Sequence, residues 1–224
     1  MFPRYDGVAD FYEEAFAHYA ELGQRTSSAA ILACLLGPGR GWCLDVACGT
    51  GLHFEAVEAT GRRVIGVDIS SDQLRIARSR SGQLVRADAC RLPFGDAAFE
   101  TVICTYLHTD IDEMAPVFGE IARVLQPAGR FVYMGVHPCF WGHFVELLPG
   151  GLRLIHRGYR ESGWHLDSPY WGRDGLRRRV GVRHVTVAEL IGGLLASGLR
   201  LTSIAEPDSG TPHAERLALV ATRG

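Results

Sequence analysis

The sequence contains no lysine and no asparagine, so all 23 residues in its Lys+Arg count are arginines. The absence of lysine excludes three kinds of site: a Schiff-base lysine, a pyridoxal-phosphate site and the lysine of a phosphate-binding P-loop. The bias itself is typical of codon usage in a GC-rich genome, and it carries no functional meaning of its own.

Long apolar runs and C-x-x-C pairs are also missing. No run of 18 or more uncharged apolar residues occurs, so no membrane-spanning helix is expected. The stretch MFPRYDGVADFYEE at 1–14 has no basic segment followed by an apolar one, and it is not expected to be a signal peptide. The six cysteines lack C-x-x-C spacing, which indicates a reducing compartment without disulfides. We therefore expect a cytoplasmic protein with no membrane partner.

Positive charge is not in excess either, since the formal net charge at pH 7 is −2. This balance argues against a nucleic-acid partner. With 224 residues, 47% hydrophobic and 21% charged, the sequence predicts one soluble globular domain over residues 1–224. The oligomeric state stays open.

Short runs of strand-forming residues alternate with helical patterns along most of the chain. The strand-like runs are 42–47, 63–68, 83–87, 100–105, 130–136, 200–205 and 216–222. Helices between successive strands imply parallel βαβ units, and the last two runs, joined by a turn-rich loop, indicate an antiparallel hairpin. The pattern predicts an α/β fold with a doubly wound, seven-stranded, mostly parallel, Rossmann-like sheet.

Helical spacing of apolar residues predicts helices in five segments. These segments are 8–21, 27–36, 71–80, 111–125 and 187–197. Ser70 with Gln73 and Thr186 with Glu189 have the spacing of capping boxes. Pro116 predicts that the fourth helix starts or kinks there.

The alternation of strands and helices breaks between residues 137 and 181, a segment that contains three of the four tryptophans. Such a segment is typical of a lid or a binding loop. Its aromatic residues indicate an acceptor with a ring or apolar surface, or else they pack the lid onto the sheet. The arginines at 177–179 and Arg183 form a solvated face or bind an anionic substrate.

The stretch CLDVACGTG at 43–51 predicts a ligand-binding turn after the first strand. Gly49 and Gly51 allow the backbone to approach a ligand closely. Phe54 stands where the dinucleotide pattern has its third glycine, so the fit to an NAD site is poor. Asp45 lies inside the strand, where a buried acid needs a partner, and a ligand ammonium or nearby backbone amides would suit. Asp45 is therefore a candidate for cofactor binding.

Acids also end the next two strands. Asp68 can accept hydrogen bonds from ribose hydroxyls, and Asp88 can accept them from an adenine amino group. Each acid can instead cap the helix that follows it, as Asp68 could do together with Ser70. Several such features at the carboxyl ends of three successive strands favour a nucleoside ligand.

Four segments together resemble the class I S-adenosylmethionine-dependent methyltransferases. They are LDVACGTG at 44–51, GVDIS at 66–70, RADACRLPFGDAAFETVIC at 86–104 and VLQPAGRFVYMG at 124–135. The resemblance implies a methyltransferase with S-adenosyl-L-methionine as its cofactor, and it says little about the methyl acceptor. The family more commonly has glycine at position 47 and Pro-Gly-Gly at 127–129, which weakens the match only slightly.

The resemblance also implies roles for particular residues. Ala47, Gly49 and Gly51 would line the methionine part, Asp68 would bind the ribose, and Ile69 would pack on the adenine. Asp88 and Ala89 would contact the adenine edge, and Thr105 would lie near the sulfonium. The N-terminal segment 1–36, with Tyr5 and Tyr12, would close over the cofactor.

Candidates for a general base follow the fourth and fifth strands. His108 and His137 have an ordinary pKa near 6.5, which suits a base near neutral pH, but either one can simply order its turn. His143, His156 and His165 are weaker candidates for contacts with the substrate. The cluster of His108, Asp110, Asp112 and Glu113 more plausibly supports a helix start than a metal, so no metal site is expected.

The sequence thus predicts methyl transfer to O, N or C of a small, ring-containing metabolite. An NAD(P)-dependent oxidoreductase, an RNA methyltransferase and a cofactor-binding protein without catalysis are the alternatives.

Overall fold

A computed structural model of the protein describes residues 3–14, 28–172, 175–208 and 210–224. Residues 9–14 form the first helix, α1, within the segment 8–21 that the apolar spacing predicts to be helical. Residues 15–21 of that segment lie outside the described part of the chain, as does residue 27 at the start of the next predicted helix.

The remaining elements follow the predicted alternation. The helices are α2 (Ser28–Leu36), α3 (Phe54–Glu58), α4 (Ser71–Ala77), α5 (Ala115–Val124), α6 (Leu176–Val180) and α7 (Val187–Ala196). The strands are β1 (Trp42–Val46), β2 (Arg63–Asp68), β3 (Gln83–Arg86), β4 (Phe99–Thr105), β5 (Leu125–Val136), β6 (Val145–Leu147), β7 (Arg153–Ile155), β8 (Gly163–His165), β9 (Val182–His184), β10 (Leu199–Ala205) and β11 (Arg216–Arg223). None of the described helices has the length and hydropathy needed to cross a bilayer.

The main sheet has seven strands in the order β10-β11-β5-β4-β1-β2-β3. Strands β1 to β5 run parallel to one another, and β11 runs antiparallel to both β5 and β10. The predicted doubly wound sheet with a C-terminal antiparallel hairpin is therefore confirmed. All five parallel strands present their carboxyl ends at one edge, which is where such folds bind ligands.

Side chains of the central strands are buried on both faces of this sheet. In β1, Leu44 and Val46 belong to the core on one face, and Cys43 belongs to the core on the other. The same alternation separates Tyr133 from Met134 in β5. Burial on both faces explains why these strands appear in the sequence as nearly continuous apolar runs.

Two helix starts have the features that the sequence predicted, and a third has one of the two hydrogen bonds of its predicted capping box. Thr186 and Glu189 form a complete capping box at α7. Helix α5 begins at Ala115 with Pro116 in its first turn, where the missing N–H has no helical partner to lose. Ser70 accepts a hydrogen bond from the Gln73 N–H, but the Gln73 side-chain oxygen has no partner among the described residues.

The segment 137–181 is more regular than its sequence predicts. Strands β6 and β7 form one antiparallel ribbon, and β8 pairs with β9 in another. These strands have only three residues each, and glycines at 150 and 151 adopt positive φ between β6 and β7. Elements this short leave no clear hydrophobic period, so the pattern missed them.

Candidate functional site

The carboxyl ends of β1, β2 and β4 open into a cleft of about 700 Å³. The predicted cofactor-binding residues that line it are Tyr12, Ala47, Gly49, Asp68, Ile69, Ala89 and Thr105. Its other lining residues are Pro3, Arg4, Tyr5, Val67, Ser70, Gln73, Ala87, Tyr106, Leu107 and Asp110. Residues far apart in the sequence therefore meet in one cleft at the predicted edge of the sheet.

The turn after β1 is made of backbone conformations with positive φ. Ala47 has φ 59°, Gly49 has 55° and Gly51 has 75°. The ring of Phe54 is fully buried beneath this turn, where a Cβ added to Gly51 would lie 2.8 Å from it and one added to Gly66 would lie 2.5 Å from it. Glycines at these two positions make room for the phenylalanine that replaces the third glycine of the dinucleotide pattern.

Asp68 is held by the backbone on both sides of its carboxylate. The Gly49 N–H donates to Oδ2 at 2.9 Å, and the Ser70 N–H donates to Oδ1 at 2.8 Å. Burial raises the pKa of Asp68, while these amide hydrogen bonds oppose the increase. Each oxygen retains a lone pair, so the carboxylate can still accept hydrogen bonds from a ligand in the cleft.

Three predicted cofactor-binding residues do not line the cleft. Asp45 is fully buried within the sheet, and burial raises its pKa well above the usual range. Gly51 packs against Phe54 instead. Asp88 accepts a hydrogen bond from the Cys90 N–H at 2.8 Å. The cofactor-binding roles predicted for these three residues stay predictions.

One wall of the cleft follows β4 and includes Thr105, Tyr106 and Leu107. Behind it, the ring of His53 is buried between Thr105 Oγ1 at 3.3 Å and Ser28 Oγ at 3.1 Å. Burial lowers the pKa of His53 to about 4, so the ring is neutral near pH 7. The His53 ring therefore adds no positive charge behind this wall.

Another wall is formed by the N-terminal segment, which residues outside it hold in place. Tyr5 Oη donates to Asp110 Oδ1 at 3.0 Å, and Arg177 Nη1 donates to the same oxygen at 2.7 Å. The rings of Tyr5 and Tyr12 meet edge to face at 5.4 Å. Asp6 accepts from Ser70 Oγ at 2.6 Å. The sequence predicted a helix start around Asp110 and a solvated face or an anion-binding role for the arginines at 177–179. It did not predict this long-range contact, because nothing in the local pattern of these residues shows it.

His108, a candidate general base in the sequence, lies in an environment that does not favour that role. It is buried, does not line the cleft, and its Nδ1 lies 2.5 Å from Tyr133 Oη. Burial lowers the pKa of His108 to about 3, and the positive charge of Arg177 adds to the effect. The role of His108 as a base stays a prediction, and these contacts do not support it.

His137 is also engaged by the protein. Its Nδ1 accepts from the Cys139 N–H at 3.1 Å, so Nε2 carries the proton and lies 2.9 Å from Glu206 Oε1. Burial lowers the pKa of His137. The ring lines a second, more open cavity with Tyr159 and Ile204, away from the first cleft. A role as the base is therefore not supported for His137 either.

Described residues of the insertion 137–181 do not line the cleft, and they reach it only through contacts with its walls. His143 stacks on His165 at 3.3 Å, and His156 stacks on Tyr170 at 3.9 Å. No group of histidine, cysteine and acidic side chains in the described part of the chain is arranged to hold a metal ion.

Residues 44–133 match the family model described as a methyltransferase domain. The chain is 29% identical over 184 residues to a demethylmenaquinone methyltransferase of Shouchella clausii, covering 72% of this chain and 78% of the relative. It is 38% identical over 110 residues to a ubiquinone/menaquinone biosynthesis C-methyltransferase of Desulfotalea psychrophila, covering 45% and 44%.

Solved structures share the fold. An S-adenosylmethionine-dependent methyltransferase from Mesorhizobium loti matches with a TM-score of 0.68 and 21% identity, covering 88% of this chain and 98% of that one. A methyltransferase from Thermotoga maritima, described as a possible histamine N-methyltransferase, matches with a TM-score of 0.66 and 19% identity, covering 99% and 98%. At these identities the likeness concerns the fold alone.

Proposed function

Because the chain is a class I S-adenosylmethionine-dependent methyltransferase, we propose that it methylates a ring carbon of a small hydroxylated aromatic molecule. One relative named above is called a demethylmenaquinone methyltransferase, and the other is called a ubiquinone/menaquinone biosynthesis C-methyltransferase. A quinone ring is electron-poor, whereas methyl transfer needs a nucleophilic carbon. The reduced, hydroxylated form of such a ring is therefore the acceptor that suits the reaction.

The observation that carries this proposal is the aromatic wall of the cleft. Tyr5, Tyr12 and Tyr106 line the same space as Leu107 and the small side chain of Thr105. Flat, apolar surfaces of this kind favour a ring over a flexible polar chain. Asp110, one of the two acids that line the cleft, is paired with Arg177 at 2.7 Å and does not offer a free charge to a cationic acceptor.

The cleft also fits the cofactor. The Gln73 side-chain oxygen is buried without a hydrogen-bond partner in the described part of the chain, and a Cβ added to Gly49 would lie 3.3 Å from it. A ligand ammonium at this turn would give that oxygen a donor. We infer that Gln73, Ala47 and Gly49 hold the methionine part and that Asp68 accepts from the ribose hydroxyls.

The remaining cofactor contacts are inferred from the other lining residues. Ile69 and Ala89 offer apolar surface for the adenine, Thr105 lies on the side of the sulfonium, and Tyr12 covers the cleft. When bound, S-adenosyl-L-methionine supplies an electrophilic methyl group. The chain's own task is to orient the acceptor and exclude water, because a displacement at carbon depends mainly on alignment.

A competition among acceptors tests the proposal. The protein is incubated with methyl-labelled S-adenosylmethionine and, in separate reactions, 1,4-dihydroxynaphthalene, catechol, histamine and a short RNA. We expect label on a ring carbon of the dihydroxynaphthalene, identified by mass spectrometry and NMR. Transfer only to the catechol oxygen, the histamine nitrogen or the RNA would overturn the ring-carbon assignment.

A further inference from the structure

Tyr106 occupies a strained backbone position at the wall of the cleft. Its φ is 59° and its ψ is 8°, which places a bulky residue in the left-handed region. Such a conformation is energetically unfavourable for a residue with a Cβ, and it persists where surrounding contacts require it. The Tyr106 N–H donates to the Met134 carbonyl at 2.8 Å, so the strain is held between β4 and β5. The chain therefore leaves the extended conformation of β4 at Tyr106, whose side chain lines the cleft.

The hydroxyl of Tyr106 is contacted by a cation from a distant part of the chain. Arg216 Nε, at the start of β11, donates to Tyr106 Oη at 2.9 Å. Because the guanidinium occupies a lone pair of the oxygen, the O–H proton is not used in this bond. No acceptor for that proton is found among the described residues. The phenol is thus polarised by a positive charge and keeps a hydrogen-bond donor to offer.

The other candidates for contact with an acceptor oxygen are already engaged. The Tyr5 O–H donates to Asp110. His108 is buried against Tyr133, and His137 faces the second cavity. Tyr106 lines the cleft, and its hydroxyl lies next to the Arg216 cation. Its O–H has no acceptor in the described part of the chain, so it can donate to a ligand.

We propose that the Tyr106 O–H donates a hydrogen bond to the ionised ring oxygen of the methyl acceptor, and that Arg216 strengthens this bond by polarising the phenol. The inference rests on the proposed function, because it requires a hydroxylated ring. A donor placed where negative charge accumulates stabilises the anion directly.

The reaction balances without a change of oxidation state beyond methyl transfer. The acceptor hydroxyl loses its proton to water, and the ring carbon next to the resulting oxyanion forms the bond to the methyl carbon. The carbon–sulfur bond breaks and its electron pair stays on sulfur. The methylated ring carbon then loses its proton to water and the ring regains its aromaticity. Tyr106 keeps its own proton throughout.

The test compares Tyr106→Phe with the wild type. The variant keeps the ring and loses the donor, so kcat/KM for the acceptor should fall about 10- to 100-fold, as expected for a hydrogen bond to a charged group. The rise of kcat/KM with pH should also move upward by about one pH unit, because the acceptor oxyanion is less stabilised. Binding of S-adenosylhomocysteine by calorimetry should not change.

Two further variants calibrate the result. Arg216→Gln leaves the phenol in place and removes the charge, so it should shift kcat/KM and the pH profile in the same direction by a smaller amount. Tyr170→Phe removes a hydroxyl from a ring that stacks on His156 outside the cleft, and it should behave as the wild type. An unchanged kcat/KM and pH profile in Tyr106→Phe would overturn the inference.

A binding measurement keeps the inference testable when turnover fails. With S-adenosylhomocysteine present, 4-nitrophenol is titrated with the protein, and its absorbance is followed against pH. The bound probe should ionise at lower pH in the wild type than in Tyr106→Phe. Equal ionisation in both proteins, or no saturable binding to the wild type, would contradict the role of Tyr106. Failure of methyl transfer to any ring carbon, with the ionisation difference intact, would instead count against the proposed function alone.

Discussion

The turn after β1 and the insertion 137–181 are shaped by different kinds of contact. The turn depends on local backbone conformation, since Ala47, Gly49 and Gly51 all have positive φ within five residues. A nearby carboxylate, Asp68, then fixes the Gly49 amide. The residues that create this shape are neighbours in the chain or lie on adjacent strands.

The insertion is fixed instead by side chains that reach distant segments. Arg177 bonds to Asp110, the Trp164 indole N–H donates to Asp112, and the Arg4 guanidinium lies 3.7 Å from the Trp164 ring centre. These contacts join the insertion to residues 110–112 after β4 and to the N-terminal segment. The turn can be recognised in the sequence because the residues that shape it are close together in the chain. The insertion is held by contacts with distant segments, and such contacts produce no recognisable local pattern.

The strongest expected difference between the two regions concerns stability. Phe54→Ala removes a fully buried ring from beneath the turn, and it should lower the free energy of unfolding by about 3–5 kcal/mol. Denaturant unfolding measures the effect. Tyr170→Ala, in the insertion, serves as the matched loss of an aromatic ring and should cost much less. Equal losses would show that the insertion belongs to the same cooperative core.

Acidification should also destabilise the body of the domain. His53 and His108 are buried, and their pKa values are lowered to about 4 and about 3. The unfolded chain binds these protons near pH 6.5 while the folded one does not, so stability is full above pH 6.5 and falls as the pH decreases. The expected loss between pH 7 and pH 5 is roughly 2 kcal/mol for each histidine.

Chemical denaturation at several pH values checks this slope. His108→Gln should reduce the pH dependence by about half, even if it lowers the stability at pH 7. A slope that stays the same in this variant would mean that other groups, among them His143 of the insertion, are responsible for the acid sensitivity.

A smaller effect is expected on cofactor affinity. Asp68→Ala removes the acceptor of the Gly49 and Ser70 amides and of the inferred ribose contact, so the Kd of S-adenosylhomocysteine should rise about 10- to 100-fold, as expected for hydrogen bonds to a charged group. Calorimetry measures the Kd. Asp96→Ala, which removes a largely exposed partner of Arg123, is the control and should bind normally. Normal binding by Asp68→Ala would remove that residue from the cofactor site.

The smallest expected effect tests how the insertion supports the cleft. Arg177→Gln weakens the contact among α6, Asp110 and Tyr5, and should raise the Kd of S-adenosylhomocysteine about 3- to 10-fold, as for a partly buried ion pair. Arg178→Gln changes a neighbouring arginine that pairs with Asp167 and should leave the Kd unchanged. Equal effects of the two substitutions would mean that α6 acts through its fold rather than through Asp110.

Sequence alone determined the order of strands and helices, the edge of the sheet where the cleft lies and several of its lining residues. Those properties follow from periodic burial and from turn chemistry, which involve residues close together in the chain. Gly49 and Asp68 were predicted for this reason, because each ends or follows a strand whose pattern is clear, whereas Thr105 was predicted from the family resemblance.

Only the tertiary structure decided which polar groups are available for chemistry. His108 has the sequence position of a candidate base, but its burial and its contact with Tyr133 do not favour that role. The Tyr106 hydroxyl is contacted by Arg216, 110 residues away in the chain. The protonation and partners of a side chain depend on what surrounds it in space. Such neighbours come from distant segments, so no local pattern of residues encodes them.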